Sequence, residues 1–573
     1  MAGLDETNGH VFKPFWLALC IVLLFIAATL RFSHLGDQDF GLDEILHVYV
    51  AQELVKGSPP VLPSGYLYDR GLPYSYLVAL AGFLGEFDEF TLRVPSVVCG
   101  VLVVLLVYWI TARWFSASAA LVAAILTTFS PIEVALSREV RMYTFFQLLF
   151  LLMLFLFFEG FETSPTTTAS QSRLSRVQAW FAAFNIRPVF LLLAGMIFLL
   201  AWQVHALVQP GVSGPIAYIL VMAGIVFVIN KLEAPIRQKY IASSVVIIFG
   251  AIAGSVLFPE KLNKLLAMTQ ATPYFYQERA DNWNYYRWEL LDAYPIVFGG
   301  LTIFFVVCLI KNPKVGLFLS LSFLVPFILH SVILPMKTYR YIFHILPLMY
   351  MVAGVGFSEC FSCLWSAGCK LNTKEYLPKI VWNTLVAGIL CTAILGMLIN
   401  MPWFMRTVKD YSNNFQLPHF VDVQHHKWKN AMTYIAQHQI EGDIIISGSP
   451  SLTGYYGANQ PLYAMNDVRL RLNINANMRD EHGNLIDYAS GAIVLIDLED
   501  VKQVIRDNPS GWVITYLWRG ERFWNHPDRP IPLTGTFPDE VIQFLQRNYH
   551  METVPGSPVL ALWRWTHSGD GNF

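Results

Sequence analysis

The feature that most constrains this chain is a series of long apolar runs. A transmembrane helix needs about 20 consecutive apolar residues. Eleven candidate runs occur, at residues 14–30, 94–112, 117–133, 142–158, 188–207, 213–230, 241–258, 294–310, 316–334, 342–358 and 380–400. The composition agrees, because only 14% of the 573 residues are charged, against about a quarter in soluble domains. The sequence therefore predicts an all-α polytopic membrane domain of about eleven transmembrane helices.

Lysine and arginine residues in the short loops predict the orientation of these helices. Cytosolic loops of membrane proteins carry an excess of both residues. With the N-terminus in the cytosol, every inner loop is basic and the first outer loop is acidic. The inner basic residues are Arg113, Arg173, Arg176, Arg187, Lys231, Arg237, Lys239, Lys311, Lys314, Lys370, Lys374 and Lys379. A shorter apolar stretch at 72–85, with Pro73 near its start, is predicted to lie at the interface or to re-enter the membrane.

The chain changes character at about Pro402, where the long apolar runs end. Short apolar segments typical of buried strands alternate there with amphipathic segments typical of helices. The predicted strands are 443–448, 492–497, 512–517 and 559–565, and the predicted helices are 427–438 and 538–548. We therefore predict a transmembrane domain over residues 1–401 and an extracytoplasmic α/β domain over residues 402–573.

An acidic pair follows the first span, within FGLDEILHVYVAQELVKG (40–57). Asp43 and Glu44 precede residues at helical spacing, so the two acids are predicted to open a helix on the outer face. Carboxylates at a helix N-terminus are stabilised by the helix dipole and by free N–H groups, which alone could explain the pair. A charge at the edge of the bilayer is nonetheless costly unless it is paired or functional. The pair is therefore also a candidate for catalysis.

Four further outer segments carry clustered charges or aromatic rings: 68–100 with Arg70 and Arg93, 130–149 with Arg138, Glu139, Arg141 and Tyr143, 272–295 with Trp283 and Tyr286, and 336–354 with Lys337, Tyr339 and Arg340. Each segment also has a structural interpretation. Arg93 would anchor a helix at the interface, 130–149 would be a salt-bridged loop, and Lys337 and Arg340 would reach lipid headgroups. The aromatic residues of 272–295 would form an interfacial belt.

These motifs together resemble the GT-C superfamily of integral-membrane glycosyltransferases. The similarity rests on the first span followed by the Asp–Glu pair, on RVPS (93–96) after YDRGLP (68–73), and on KTYRYIFHILP (337–347). The chain is most similar to the branch that contains protein O-mannosyltransferases and lipid A aminoarabinose transferases. The resemblance covers residues 14–158 and 330–358.

The resemblance implies roles for individual residues. Asp43 would be the catalytic base, and Glu44 would orient or assist it. The donor phosphate would be bound by Lys337 and Arg340, with Arg70, Arg138 and Arg141 as second choices. The sugar or acceptor contacts would be Tyr143, Glu139, Tyr339, Trp283 and Tyr286. Some family members carry a second carboxylate near position 143, where this chain has a tyrosine, so Glu133 or Glu139 could substitute.

The implied reaction moves a single sugar from a polyprenyl-phosphate donor to an acceptor hydroxyl of a protein, lipid or glycan, with inversion, on the extracytoplasmic side. The sequence contains no metal motif, so we predict no metal site and no firm cofactor, and a divalent cation is left open. The net charge of −2 does not suggest a nucleic-acid partner. The prediction favours a prokaryotic plasma membrane over the endoplasmic reticulum.

Two other functions are compatible with a many-span membrane protein. A transporter or flippase of lipid-linked sugars would carry ionisable residues in the middle of its spans and often an internal repeat. Most charges here lie at the ends of the predicted spans, and no repeat is evident. A non-catalytic membrane protein with a partner-binding outer domain would instead tolerate replacement of Asp43.

Overall fold

The computed structural model of the chain is mostly helical and ends in an α/β region. It describes residues 14–163, 180–229, 233–260, 285–333, 338–370, 401–412, 427–457, 461–465, 478–516, 537–554 and 560–566, with isolated residues of 261–284 and 381–396. The first seven helices are α1 Pro14–Phe32, α2 Leu42–Val55, α3 Leu72–Leu84, α4 Glu89–Trp114, α5 Ala117–Thr128, α6 Pro131–Leu136 and α7 Tyr143–Glu162. Later helices of the membrane region are Pro188–Val204, Val208–Gly211, Ser213–Ile229, Ala234–Leu257, Tyr285–Ala293, Pro295–Gly299, Leu301–Lys311, Pro313–Val332, Tyr339–Ile342, Leu346–Lys370 and Pro402–Ser412.

Seven of the predicted spans are confirmed as helical stretches long and apolar enough to cross a membrane. Within the described residues these are Pro14–Phe32, Glu89–Trp114, Tyr143–Glu162, Val208–Ile229, Ala234–Leu257, Pro313–Val332 and Arg340–Gly368. Three other predicted spans form shorter apolar helices, Ala117–Thr128, Pro188–Val204 and Leu301–Lys311. The predicted span 380–400 lies largely outside the described residues. The chain is thus a multi-pass membrane protein.

Local sequence explains why two of these helices are shorter than predicted. Helix α5 ends at Thr128, and Ser130 then caps a new helix that Pro131 opens, its Oγ accepting from the Glu133 N–H at 3.4 Å. Serine before proline is a typical helix start. The predicted span 294–310 is likewise divided, because the helix Pro295–Gly299 precedes Leu301–Lys311.

The chain forms two compact units, each built from separate stretches of sequence. The first unit comprises 1–33, 96–138 and 142–417, and the second comprises 34–95, 139–141 and 418–573. The second unit therefore combines the predicted outer loop with the C-terminal region. The division into a transmembrane domain, 1–401, and an extracytoplasmic domain, 402–573, stays a prediction.

In the first unit, helices pack closely where small residues meet. A Cβ at Gly354 would lie 2.6 Å from the carbonyl oxygen of Ala119 and 2.9 Å from the Cβ of Ala123. Ser118 and Ser358 share a hydrogen bond of 2.7 Å between their hydroxyls in the same helix pair. Small residues and serine pairs of this kind allow close contact between helix backbones where water is absent.

In the second unit, residues 444–566 form a six-stranded sheet with the strand order β3-β2-β1-β4-β6-β5. The strands are β1 Ile444–Ser447, β2 Leu462–Ala464, β3 Ile493–Val494, β4 Ser510–Tyr516, β5 Met551–Thr553 and β6 Leu560–Thr566. The first four are parallel, and β6 pairs antiparallel with β4 and β5. The helices of this region are Trp428–His438, Pro450–Tyr456, Leu498–Asp507 and Asp539–Asn548. The predicted C-terminal α/β fold is confirmed.

The core of this sheet explains which elements the sequence could predict. Ile446 of β1, Val513 of β4 and Trp563 of β6 are fully buried and pack with apolar residues of two amphipathic helices, Val501, Ile505, Val541 and Leu545. All four predicted strands and both predicted helices are present. Strands β2 and β5, of three residues each, were not predicted because such short runs carry little periodicity.

Candidate active site

Helix α2 brings the acidic pair to the start of a helix, as predicted. Gly41 is its N-cap in an extended conformation, and its N–H donates to Oε2 of Glu44 at 2.7 Å. Because side chains four residues apart share one face of a helix, Asp43 and His47 are neighbours on α2. The local sequence therefore sets two groups side by side at the N-terminal turn.

Glu44 is buried in an ion pair. Its carboxylate accepts from Nε and Nη2 of Arg93, both at 2.9 Å, and from the Val140 N–H at 2.7 Å. Arg93 also donates to the carbonyls of Leu35 at 2.8 Å, Gln38 at 2.7 Å and Asp39 at 2.9 Å. Buried charges are tolerated when each is paired and hydrogen-bonded in this way. The geometry suits an orienting role for Glu44.

Asp43, in contrast, has an accessible carboxylate, because its side chain is 46% exposed. The buried Arg141 donates from Nη1 to the Asp43 carbonyl at 2.8 Å, and its Nη2 lies 3.5 Å from Oδ2. One guanidinium thus holds both the backbone and the carboxylate of Asp43. The result is an oriented, solvent-facing acid with a cation beside it.

Three more side chains of the same unit lie near Asp43 and Arg141: His47, Tyr68 and Arg70. His47 is fully buried, its Nδ1 is 2.8 Å from Oγ of Ser75, and its ring meets Tyr68 edge-on at a centroid distance of 5.6 Å. Burial lowers the pKa of His47, and the charges of Arg141 and Arg70 lower it further, while Asp43 opposes them.

Tyr68 is subject to the same charges. Burial raises its pKa, whereas Arg141 and Arg70 act to lower it. The exposed Arg70 is therefore close enough to act electrostatically on the residues around Asp43. Of the predicted phosphate-binding residues, Arg141 contacts the predicted base, and Arg70 acts electrostatically on its neighbours His47 and Tyr68. The residues that the sequence did not single out are His47 and Tyr68, and the four-residue spacing from Asp43 could have indicated His47.

Arg138 has a different environment from Arg141. It is buried in the first unit, and its Nη1 donates to the carbonyls of Arg31 at 2.8 Å and Ser33 at 2.7 Å, with Leu30 at 3.5 Å. These carbonyls belong to the end of α1, where the last C=O groups have no partner in the helix. The geometry favours a capping role for Arg138 over the predicted phosphate contact.

The other residues of 130–149 are enclosed by protein. Glu139 is buried, and its carbonyl accepts from the Arg141 N–H at 2.7 Å. Tyr143 is buried with its ring centroid 5.6 Å from that of His205. Glu133 is also buried and accepts from Nε2 of Gln147 at 3.0 Å. Burial in the structure does not favour direct contact of these three side chains with a sugar or acceptor.

A second group of predicted residues lies in the first unit. The hydroxyl of the buried Tyr286 donates to the Thr338 carbonyl at 3.0 Å and accepts from the Thr338 N–H at 3.2 Å. The Thr338 hydroxyl in turn accepts from the Arg340 N–H at 3.2 Å and caps Tyr339–Ile342. Tyr286 thus supports the backbone that carries the partly buried Arg340. Lys337, Trp283 and the side chain of Tyr339 lie outside the described residues.

Metal-ligating side chains do not cluster in the part of the chain that the structure describes. No group of three or more His, Cys, Asp or Glu residues there has an arrangement that could hold a metal ion. The site at Asp43 combines a carboxylate with Arg141, Arg70 and the buried rings of His47 and Tyr68, an arrangement suited to orienting an anionic substrate beside a proton acceptor.

Comparisons with known proteins agree with the fold class. A family model described as dolichyl-phosphate-mannose-protein mannosyltransferase matches residues 69–232, a segment that includes Arg70 and Arg141. No match to a curated protein was found for the chain. The matched segment thus includes two of the arginines described above and leaves out Asp43.

Two solved structures share the fold over most of this chain. ArnT from Cupriavidus metallidurans, bound to undecaprenyl phosphate, has a TM-score of 0.54 and 12% identity, covering 98% of this chain and 99% of that chain. The oligosaccharyltransferase AglB from Archaeoglobus fulgidus, in complex with an inhibitory peptide and a dolichol-phosphate, has a TM-score of 0.52 and 11% identity, covering 88% of this chain and 70% of that chain. At these identities the comparison shows the fold alone. The fold that the GT-C resemblance implies is confirmed.

Proposed function

We propose that this chain is a membrane glycosyltransferase that transfers a single sugar from a polyprenyl-phosphate donor to an acceptor hydroxyl. The observation that carries the proposal is the half-exposed carboxylate of Asp43, held by Arg141 and next to His47, on which Arg70 also acts electrostatically. The family-model match and the fold shared with ArnT and AglB support the donor class, because those two proteins were solved with polyprenyl phosphates.

Asp43 acts as the general base in this proposal. The acceptor oxygen attacks the anomeric carbon while Asp43 takes the hydroxyl proton, and the bond between that carbon and the phosphate oxygen breaks. The transition state has oxocarbenium character, as in glycoside hydrolysis. The polyprenyl phosphate leaves as an anion that needs no proton. A single displacement of this kind inverts the anomeric centre.

Cations around the departing phosphate supply the remaining stabilisation. The exposed Arg70 is placed to contact the phosphate, and the buried Arg141 acts on it electrostatically while it holds Asp43, since fixed positive groups stabilise charge that develops on a leaving phosphate. The family resemblance also implies a phosphate-binding role for Lys337 and Arg340. Glu44 orients the N-terminal turn of α2 through its pair with Arg93.

We further propose that the reaction takes place on the extracytoplasmic face, with the N-terminus in the cytosol and residues 402–573 outside. The basic inner loops support this orientation. A prokaryotic plasma membrane is the favoured location. The two arginines supply positive charge at the phosphate, so the proposed mechanism needs no divalent cation, or depends on one only weakly.

The test measures sugar transfer in membranes that contain the full chain. Dolichyl-phosphate [³H]mannose and undecaprenyl-phosphate [³H]aminoarabinose are supplied separately, and label in endogenous acceptors is counted. Asp43→Asn is expected to reduce transfer about 10²- to 10⁴-fold, the usual contribution of a general base. The matched control is Glu53→Gln, another acid of α2, whose carboxylate pairs with Lys56 at 2.7 Å.

Two outcomes contradict the proposal in different ways. Transfer by Asp43→Asn at the rate of the unaltered chain removes Asp43 from the role of base. If the unaltered chain uses neither donor, under conditions where a known lipid-linked transferase is active, the proposed donor class is wrong. That result would favour a flippase or a partner-binding membrane protein.

A further inference from the structure

The segment that leads into α2 is held by residues from the far end of the chain. The Phe40 N–H donates to the hydroxyl of Tyr456 at 2.7 Å, and the Phe40 ring stacks on that of Tyr456 at a centroid distance of 6.5 Å and an interplanar angle of 23°. Tyr455 meets the same ring edge-on at 5.5 Å. All three residues belong to the second unit. Phe40 lies three residues before Asp43.

The Tyr456 hydroxyl is satisfied as both acceptor and donor. It accepts from Phe40 and donates to Oε1 of Glu89 at 2.9 Å. Glu89 begins α4, is almost fully buried, and lies 3.5 Å from Nζ of Lys429. A tyrosine hydroxyl has one proton to donate, so these two contacts fix its orientation and that of the Phe40 amide.

A second contact holds the preceding residue. The buried carboxylate of Asp39 accepts from the Lys429 N–H at 2.7 Å, in the first turn of the helix Trp428–His438, where N–H groups have no intrahelical partner. Arg93 holds the other side of the segment, through the Asp39 carbonyl and with its guanidinium 5.4 Å from the Phe40 ring centroid. Residues 39 and 40 are therefore fixed by groups on both sides.

We propose that Tyr456 is a positioning residue for the transfer reaction, acting through Phe40 on the first turn of α2 and hence on the Asp43 carboxylate. The inference rests on the proposed function, in which Asp43 is the base. Catalytic groups must be held to within fractions of an ångström, and a displacement of about 1 Å can cost about 10²-fold in rate. The C-terminal region thereby contributes to the chemical step itself.

The test is Tyr456→Phe in the full chain, which keeps the stacked ring and removes the hydroxyl. Initial transfer rates are measured in membranes over a range of donor concentrations, with dolichyl-phosphate [³H]mannose or undecaprenyl-phosphate [³H]aminoarabinose, whichever the unaltered chain accepts. We expect the maximal rate per molecule to fall about tenfold and the donor KM to stay within about twofold, because only the base is displaced.

Two control variants separate positioning from general loosening. Tyr455→Phe removes a hydroxyl that donates to the Phe87 carbonyl at 2.8 Å, a contact outside the segment 39–43. Tyr434→Phe removes a hydroxyl that donates to the Glu552 carboxylate at 3.0 Å. Both controls are expected to retain the maximal rate. A fall of equal size in Tyr455→Phe would indicate a merely structural contact and overturn the proposal.

A double variant distinguishes failure of this inference from failure of the proposed function. If Tyr456 acts through Asp43, adding Tyr456→Phe to Asp43→Asn slows transfer no further than Asp43→Asn alone. A further tenfold loss in the double variant overturns the positioning role. Wild-type transfer by Asp43→Asn would overturn the base itself, whatever Tyr456→Phe does.

A second substitution tests the same proposal if Tyr456→Phe is destabilised. If that variant has a lower thermal midpoint than both controls, Asp39→Asn is measured instead, since it weakens the contact of the same segment with the Lys429 N–H. The expected result is again a lower maximal rate with an unchanged donor KM. A maximal rate equal to that of the unaltered chain overturns the proposal.

Discussion

His47 shows how one residue of the site is kept uncharged. Its ring is fully buried between the edges of Tyr68 and Tyr74, and Nδ1 is hydrogen-bonded to Ser75. Burial lowers its pKa well below 6.5, and Arg141 and Arg70 add to that effect. A neutral imidazole beside Asp43 leaves the positive charge of the site to the arginines, whose protonation does not change near neutral pH.

This environment predicts an acid-sensitive fold. The folded pKa lies below the unfolded value near 6.5, so the contribution to stability is complete above that pH and is lost as the pH falls below it. The loss is about 1.4 kcal/mol for each pH unit in that window. We expect His47→Gln to lose less thermal stability between pH 7 and pH 5 than the unaltered chain, measured by thermal unfolding in detergent.

The control is His482→Gln, which changes a histidine whose side chain is 76% exposed. It should lose stability on acidification as the unaltered chain does. An equal loss in His47→Gln would show that His47 is not the group that carries the acid sensitivity.

At the scale of single elements, two arginines three residues apart serve different helices. Arg138 donates to the carbonyls at the end of α1, and Arg141 holds Asp43 at the start of α2. The end of a helix carries a partial negative charge and unpaired carbonyls, so a buried cation is stabilising there. Two arginines before α7 thus have separate roles: Arg138 binds the end of α1, and Arg141 binds the start of α2.

We predict that substitution of these two arginines separates stability from donor binding. Arg138→Leu leaves buried carbonyls without a donor and should destabilise the protein by about 1–3 kcal/mol for each group, with the donor KM little changed. Arg141→Leu should raise the donor KM about tenfold and also lower the maximal rate, because it removes positive charge from the site and releases the Asp43 carboxylate. The measurements are thermal unfolding in detergent and transfer kinetics in membranes.

The reverse pattern would contradict these assignments. A large rise in donor KM for Arg138→Leu, with unchanged thermal unfolding, would restore the phosphate contact that the family resemblance implies for Arg138.

The elements that sequence predicts well here are those with a strong local pattern. Seven apolar runs are confirmed as long helices because composition alone identifies a segment of that length. The predicted acidic pair opens α2, but sequence does not show that Glu44 faces inward while Asp43 faces out. That distinction depends on Arg93, which is 49 residues further along the chain. Contacts over such separations leave no periodic signal.

At the scale of the molecule, the second unit is the least predictable feature. The sequence predicts the α/β region from its strands, yet nothing local indicates that 34–95 belongs to the same compact unit. The contacts that join them include side-chain hydrogen bonds, such as that from Tyr49 to the Ser451 carbonyl at 2.7 Å, and a buried apolar cluster in which Leu46 and Val50 pack with Ala489. Side-chain hydrogen bonds of this kind follow from tertiary structure and not from composition.

The predicted orientation has a direct test in cysteine labelling. Glu481 lies in an exposed turn with its side chain 87% exposed, and Cys360 and Cys363 are exposed on the helix Leu346–Lys370. In sealed right-side-out vesicles, an impermeant maleimide should label Glu481→Cys at once. It should label Cys360 and Cys363 only after detergent is added, because the basic inner loops place them in the cytosol.

Peptide mass spectrometry identifies which cysteine carries the label. The opposite pattern, with Cys360 and Cys363 labelled in sealed vesicles and Glu481→Cys protected, would invert the topology and move the Asp43 site to the cytosolic face.

The second unit is built from stretches of sequence that are synthesised at different times. Phe40 and Tyr456 are 416 residues apart, and chains are synthesised at roughly 5–20 residues per second, so the earlier partner waits roughly 20 to 80 seconds for the later one. During that interval Phe40, in the loop after α1, lacks the rings of Tyr455 and Tyr456 against which it packs in the complete chain. A chaperone on the side of the membrane that receives this loop is therefore expected to shield it until translation is complete.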